Sequence, residues 1–470
     1  MKKYDAVIIG AGPAGQTCAV RIAELGGKVA IVERDFIGGI CTNWGCTPSK
    51  AMIESAKVAR EVEDSARYGV NVDHFQIDFS RVAERRNEVV LNTRESITEL
   101  LKYHNVDIYQ GEADVLSPTE VKVRFGKLND ETYEMNYSGA EETLETANVV
   151  LATGSKPLIP GFIDENDPTI VSSHALITIE DLPETLTIVG GGVIGMEFAT
   201  IFSNLGSQVT VVELLPRVLA LMDEDISTEI TRIMEDRGVN ILTNHKVTEL
   251  ANGVLKATNQ ETGEDVEIRS QMNLIAIGRT AVLKQDLYDK LGLSYTRKGI
   301  DVDDTLATSV PGVWAIGDAT GKSILAHCGI QQGIICGENI MRKSGSPRLM
   351  DYSVVPAIVY SLPEIFSIGD VPEGLSDVQV VKVPFSANLR ANIEEHTDGF
   401  IKLWLRDNKL VAAQAIGFLV SEIGQELANM IALGTDVTEV SKIIHAHPTY
   451  AEIIRSALDY SEGKAVDFFL

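Results

Sequence analysis

Two cysteines stand five positions apart in the stretch GGICTNWGCTPSK, Gly38 to Lys50. Thiols can bind a metal, attack an electrophile or form a disulfide, and the spacing helps to choose among these. Zinc sites ordinarily need close Cys or Cys/His pairs in two clusters, and no second cluster follows here. In a regular helix, residues five apart sit roughly 8–9 Å from each other at Cα, and a disulfide tolerates at most about 7 Å. Cys41 and Cys46 can therefore bridge only across an irregular backbone. Asn43 and Gly45, which lie between them, both tolerate unusual dihedrals. The following TPSKAMIESAKVAR reads as a helix with Thr47 as its N-cap and Pro48 at its first position. Cys46 then lies at a helix N-terminus, and Lys50 follows within the first turn or so; both favour a thiolate. This is the setting of a reactive dithiol or disulfide, and the plainer alternative is two unrelated buried thiols. Cys18, Cys328 and Cys336 lie in apolar helical patterns and read as core residues.

Two longer segments set the elements around this pair. AVIIGAGPAGQTCAVRIAELGGKVAIVE (Ala6–Glu33) and LTIVGGGVIGMEFATIFSNLGSQVTVVE (Leu186–Glu213) resemble each other. Each reads as an apolar strand, a Gly-x-Gly-x-x-Gly turn, a helix and a second apolar strand ending in Glu, 23 positions after the first glycine. Gly10 and Gly190 permit the tight turn, Gly12 and Gly192 let backbone approach a pyrophosphate, and Gly15 and Gly195 let the helix pack on its strand. The free N–H groups of the helix start attract phosphate. Glu33 and Glu213 can accept from a ribose 2′-hydroxyl, and a carboxylate at 213 would repel the extra phosphate of NADP, favouring NAD. Two such units imply two dinucleotides, commonly a flavin and a nicotinamide. The apolar runs VVLATGS, LIAIGRT and VWAIGDA read as strands leading to crossovers between two interleaved nucleotide domains. The stretch from Val121 to Val150 alternates with period 2 and reads as an antiparallel excursion. From about Asp351 the chain reads as strands followed by helices, an α+β domain.

Composition bounds the rest. The chain has 470 residues, a globular composition and a formal net charge of −26, which disfavours nucleic-acid and anionic-membrane surfaces. No apolar run is long enough for a transmembrane helix. Asp5 and the glycine spacing argue against a signal peptide, and five cysteines are not a secretory disulfide framework. The expected location is cytoplasmic.

With GAGPAG, GGxCxNxGCxPSK, ATGS, GGGVIGMEF, AIGR, AIGDAT and HAHPTYAE in this order, the chain resembles the pyridine nucleotide–disulfide oxidoreductases from Tyr4 to about Tyr460, and most of all their dihydrolipoamide-oxidising branch. The resemblance implies an α/β chain with two interleaved Rossmann-like dinucleotide-binding domains and a C-terminal α+β dimer-interface domain. Its expected divisions are FAD-binding 1–150, NAD-binding 151–273, a central segment 274–350 completing the FAD domain, and an interface domain 351–470. It implies FAD and NAD as cofactors and a homodimer in which each active site borrows a histidine from the other subunit. By motif, Cys41 exchanges with substrate, Cys46 faces the flavin as the charge-transfer thiolate, and Lys50 lies near the flavin N5, paired with Glu197. Glu33, the backbone near Ala113, Gly154, Asp318 and Ala326 hold FAD. The turn from Gly190, Glu213, Val247 and Gly278 hold NAD. Thiol–disulfide exchange needs a base near neutrality, and His447 oriented by Glu452 matches the family's pair; His445 is assigned to structure.

The implied reaction is oxidation of dihydrolipoamide, free or on a lipoylated carrier such as a subunit of a 2-oxoacid dehydrogenase complex, with reduction of NAD. No lipoyl domain precedes YDAVIIGAGPAG, so the lipoyl group is expected on another protein. Ile40 stands where Thr is usual, and Thr42 and Thr47 where aliphatic residues are usual; these positions bear on flavin potential and the substrate mouth. The rivals are an NAD(P)H-dependent reductase of another disulfide or of a metal ion, and a non-enzymatic flavin-binding scaffold. A mercuric-ion reductase is expected to carry a further cysteine pair near its C-terminus, which KAVDFFL lacks. A scaffold has no reason to keep both cysteines with His447 and Glu452.

Overall fold

Each glycine repeat folds as the strand–helix–strand unit its pattern predicts. In the computed structural model, which describes residues 1–129, 135–164, 166–372 and 377–464, β2 (Ala6–Ile9) leads into α1 (Pro13–Glu24). The chain returns as β3 (Val29–Glu33), parallel to β2 with Ala6 opposite Val29. The second copy is the strand Thr185–Val189, the helix Val193–Asn204 and the strand Gln208–Val212, with Thr185 opposite Gln208. Gly10 and Gly190 have φ of +103° and +108°, which side-chain-bearing residues rarely adopt. A Cβ on Gly15 or Gly195 would strike the carbonyl oxygen of Gly10 or Gly190 respectively, so both helices lie directly on their turns.

The two copies seed different sheets. The first runs β1 (Lys3–Tyr4), β6 (Met135–Thr146), β5 (Glu120–Leu128), β4 (Asp107–Ser117), β3, β2, β7 (Val149–Leu151) and the strand Val313–Ala315. β4, β5 and β6 pair antiparallel, the excursion expected there; residues 130–134 of that stretch lie outside the described residues. The strand Val313–Ala315 pairs with β7, and the helix Ala326–Met341 packs on α1, where Gly333 admits the backbone of Ala14 and Cys18. The second sheet is parallel, in the order Asn240–Leu242, Gln208–Val212, Thr185–Val189, Met272–Ile275 and Ile170–Ser172. A three-stranded antiparallel sheet between His245 and Arg269 flanks it. Divisions after residues 150 and 273 would cut β7 and the strand Met272–Ile275, so each has to move to the C-terminal side of its strand. The C-terminal sheet is antiparallel, in the order Ala357–Val359, Glu364–Gly369, Lys409–Gly417, Phe400–Arg406 and Gln379–Pro384. The helices Val420–Leu433 and Glu452–Ser461 share its apolar cluster.

α2 (Gly39–Trp44), α3 (Cys46–Glu63) and α4 (Phe79–Tyr103) fill the space between these sheets. One apolar cluster joins Met52 and Ile53 of α3 to Ile188, Phe198 and Phe202 around the second sheet and to Val359, Ile365 and Ile416 of the C-terminal sheet. That burial, the main favourable term in folding, seats the helix that begins at Cys46 against all its neighbours. Among the described residues no helix is long and apolar enough to cross a membrane.

A polar latch also ties the C-terminal sheet to the second one. Lys402 Nζ donates to Asp223 Oδ1 at 2.7 Å and to Asp225 Oδ2 at 2.8 Å, at the start of the helix Glu224–Asp236. Hydrogen bonding to Lys402, then to Lys382, holds the Asp225 carboxyl below the usual carboxylate range. Lys402→Met is expected to cost roughly 1.5–3 kcal/mol at neutral pH, read from the urea midpoint. A depressed folded pKa contributes stability above the unfolded value of about 4 and loses it as the pH falls through the folded value. The gap between Lys402→Met and the parent should therefore narrow in acid.

Candidate functional site

The backbone breaks between the two cysteines, as their spacing requires. α2 ends at Trp44, Gly45 takes non-helical dihedrals (φ −137°, ψ −109°), and α3 begins at Cys46. The break brings the Cα atoms of Cys41 and Cys46 to 4.7 Å, and the two form a disulfide. One local expectation is corrected. The N-cap of α3 is Gly45 and not Thr47, because the non-helical residue lies two positions earlier than the Thr-Pro signal suggests, and no side chain caps the helix. Cys41 lies in the short helix α2. Cys46, as the first residue of α3, stands where uncapped N–H groups and the dipole favour a thiolate. The buried Asn43 pins α2 in place: its amide donates to Gly39 O at 2.8 Å and Ile37 O at 3.1 Å, and its Oδ1 accepts from Arg94 Nε of α4 at 3.0 Å.

One turn along α3, Lys50 Nζ donates to both carboxylate oxygens of Glu197, at 3.0 and 3.1 Å. Glu197 is buried on the helix Val193–Asn204 and also accepts the Tyr360 backbone N–H at 3.0 Å. The expected Lys50–Glu197 pair thus joins the redox helix to the second glycine unit.

Both glycine turns present open cradles. A Cβ at Gly12 or Gly192 would meet nothing within 4 Å, and neither α1 nor the helix Val193–Asn204 has a side-chain cap. Uncapped N–H groups beside open space suit a pyrophosphate. Glu33 and Glu213 close their turns alike. Glu33 accepts from Ala11 N at 2.7 Å and Asp35 N at 2.8 Å; Glu213 accepts from Gly191 N at 2.5 Å and Leu215 N at 2.7 Å. Burial pushes the Glu33 carboxyl up from its ordinary range, against the pull of those backbone donors. Gly154 and Gly278 likewise face open space in the Cβ direction. Ala113 is buried in β4, Ala326 opens the helix Ala326–Met341, and Val247 lies in the antiparallel strand His245–Ala251 beside a register shift.

Asp318, in the turn Gly317–Thr320, accepts from Ser155 Oγ at 2.5 Å; Ser155 in turn accepts from Arg279 Nε at 2.9 Å. Burial raises the Asp318 carboxyl, opposed by Ser155 and by the charge of Arg279. Arg279 Nη1 also lies 3.4 Å from His174 Nε2, whose ring stacks on Trp44 at 5.9 Å between the cysteines. Burial and then Arg279 lower the His174 pKa to about 4, so the ring is neutral at physiological pH. Ser155 and Arg279 are the last residues of the quoted runs ATGS and AIGR, which could have pointed to them. Tyr360 and His174 carry no spacing signal.

At the other end of the chain, His447 Nδ1 lies 2.9 Å from Glu452 Oε1, and Glu452 Oε2 accepts from Thr449 N at 2.7 Å. The His447 side chain is 64% exposed, with the imidazole aimed by Glu452 at the surface of this subunit. His445 is instead tied to Ile443 O and to Glu426, a structural placement.

Comparison with known proteins gives the family. Residues 4–333 match the pyridine nucleotide-disulphide oxidoreductase model, and residues 355–458 match the dimerisation domain of the same enzymes. The chain belongs to the pyridine nucleotide–disulphide oxidoreductases, flavoproteins that use FAD and NAD(H). It is 33% identical to the dihydrolipoyl dehydrogenases of Geobacillus stearothermophilus and Halobacterium salinarum, over 98% of this chain and 97% of each of those. Among solved structures it resembles the Cu(II) complex of the HOCl-induced flavoprotein disulfide reductase RclA from Escherichia coli. The TM-score is 0.85 at 26% identity, over 98% of this chain and all of that one. The dimerisation-domain match supports a homodimer.

The disulfide has a direct chemical check. Cys18, Cys328 and Cys336 are buried, so the native oxidised protein should show almost no thiol reactive toward a chromogenic disulfide reagent. Reduction followed by desalting should expose two per chain, and Cys41→Ser should leave Cys46 reactive without prior reduction.

Proposed function

We propose that this chain is a dihydrolipoyl dehydrogenase, oxidising the dithiol of dihydrolipoamide, free or carried on a lipoylated protein such as a 2-oxoacid dehydrogenase component, while NAD is reduced to NADH. The observation that carries the reading is the Cys41–Cys46 disulfide at the start of α3, in a chain that matches dihydrolipoyl dehydrogenases over nearly its full length. FAD occupies the cradle at Gly10, Gly12, Gly15 and Glu33, with Ala113, Gly154, Asp318 and Ala326 around it. NAD occupies that at Gly190, Gly192, Gly195 and Glu213, with Val247 and Gly278. The domains follow the division into FAD, NAD, central and interface segments, with two boundaries moved beyond β7 and the strand Met272–Ile275.

A substrate thiolate attacks Cys41 and breaks the Cys41–Cys46 bond, leaving Cys46 as a thiolate at the helix start. The second substrate sulfur then displaces Cys41, closing the lipoyl disulfide and leaving the cysteine pair reduced by two electrons. His447 of the partner subunit takes the proton from the attacking dithiol, and Glu452 holds its ring in orientation and steadies its charge. Bound FAD supplies the two-electron relay from the cysteine pair to NAD. Lys50, held by Glu197, keeps a fixed positive charge beside that relay. Glu213 excludes the 2′-phosphate of NADP by repulsion.

The resemblance to RclA, a disulfide reductase solved as a Cu(II) complex, favours a second reading in which a reduced nicotinamide drives reduction of another disulfide or of a metal ion. A panel separates the two. Fast NAD reduction by dihydrolipoamide supports the first reading. NADH-dependent reduction of other disulfides or of Cu(II), without dihydrolipoamide oxidation, supports the second.

His447→Ala is expected to lower dithiol turnover by roughly 10²–10⁴-fold, the usual scale for removing a general base. Cys41→Ser should be inactive. Refolding the two variants together should restore dithiol turnover, because the mixed dimer holds one intact Cys41–Cys46 pair facing one intact His447. Failure of complementation would put the base on the same chain as the disulfide. Glu213→Ala should narrow the preference for NAD over NADP, measured as the ratio of kcat/KM values.

A further inference from the structure

Lys50 is held by more than its carboxylate. Its Nζ lies 4.2 Å from the centroid of the Tyr360 ring, over the face, within the range of a cation–π contact. The same residue's backbone N–H donates to Glu197 Oε1 at 3.0 Å. Tyr360 therefore touches both members of the pair, the carboxylate through its main chain and the ammonium through its ring. It directly follows the strand Ala357–Val359 of the C-terminal sheet. Its ring packs against the apolar cluster that contains Met52 of α3, Phe198 of the helix Val193–Asn204 and Val359. The ring cannot leave the ammonium without disturbing that packing.

A lysine–carboxylate pair alone leaves the ammonium free to pivot. Lys50 is about one-third exposed, where a simple ion pair contributes little and orders its side chain weakly. The electron-rich face of an aromatic ring adds a second, directional attraction from a different element. Between them, Glu197 and the ring define where the ammonium sits.

We propose that Tyr360 is a positioning residue for Lys50, through which the C-terminal sheet sets the charge beside the flavin and with it the flavin's reduction potential. This rests on the reading that Lys50 lies against the bound flavin. A fixed ammonium stabilises the negative charge gained on reduction. Loosening it makes reduction harder and moves the potential to more negative values.

The test is a ring series at position 360 in the full-length flavoprotein. Tyr360→Phe is compared with phenylalanine analogues of increasing fluorination at the same position, which keep ring shape while draining charge from the ring face. The flavin midpoint potential is measured by spectroelectrochemistry in the otherwise unaltered chain and in a Lys50→Met background, a double-mutant cycle that isolates the ring–ammonium interaction. The potential should fall stepwise with fluorination in the first background and stay level in the second. A level series in both backgrounds, with Lys50→Met itself shifting the potential, overturns the role of Tyr360 and leaves the placement of Lys50 standing. A level series with no shift from Lys50→Met overturns the proposal together with that placement. An equal slope in both backgrounds means that the ring acts without the lysine, which also overturns it.

Discussion

The structure turns on a helix that must be interrupted and resumed within a few residues. Cys41 and Cys46 can share a bond only if the backbone between them leaves the helical path, while Cys46 stands at a helix N-terminus only if a helix starts there. Gly45 meets both demands at once. An abrupt break of this kind has little stability of its own. Asn43 ties its first half to Gly39, Ile37 and Arg94, and the apolar face of α3 anchors its second half in a cluster shared with two sheets. The scaffold can be understood as the means of holding that break in one conformation.

The two glycine units show how one local solution is used twice. In each, a positive-φ glycine turns the chain, the next backbone N–H is held by the terminal Glu of the following strand, and the helix start remains uncapped and open. The carboxylates at Glu33 and Glu213 thus brace their turns through backbone N–H groups. Loss of either is expected to alter the shape of the turn beside the open helix start.

The C-terminal sheet does more than carry an interface. Lys402 latches it to the helix Glu224–Asp236, and Tyr360 reaches from it to the Lys50–Glu197 pair. His447, aimed by Glu452, stands exposed on the same part of the chain. One body therefore touches the redox helix from within this subunit and presents an exposed imidazole at its surface.

Sequence by itself determined whatever depends on short stretches of backbone. The strand–turn–helix units, their acidic termini and the irregular path between Cys41 and Cys46 all lie within a few turns of chain, where steric and hydrogen-bonding rules act on neighbours; the pairing of His447 with Glu452 was implied by the family resemblance. It misjudged the start of α3 by two residues, because a Thr-Pro signal cannot reveal that the helix already begins after Gly45. It was blind to Tyr360 over Lys50 and to the line from Asp318 through Ser155 and Arg279 to His174 and Trp44. Those residues come from segments far apart in the chain, and no spacing rule links them. They meet because the second, parallel sheet and the antiparallel C-terminal sheet bury apolar faces against α3 and its neighbours, and that packing, a property of the whole chain, decides which side chains face one another.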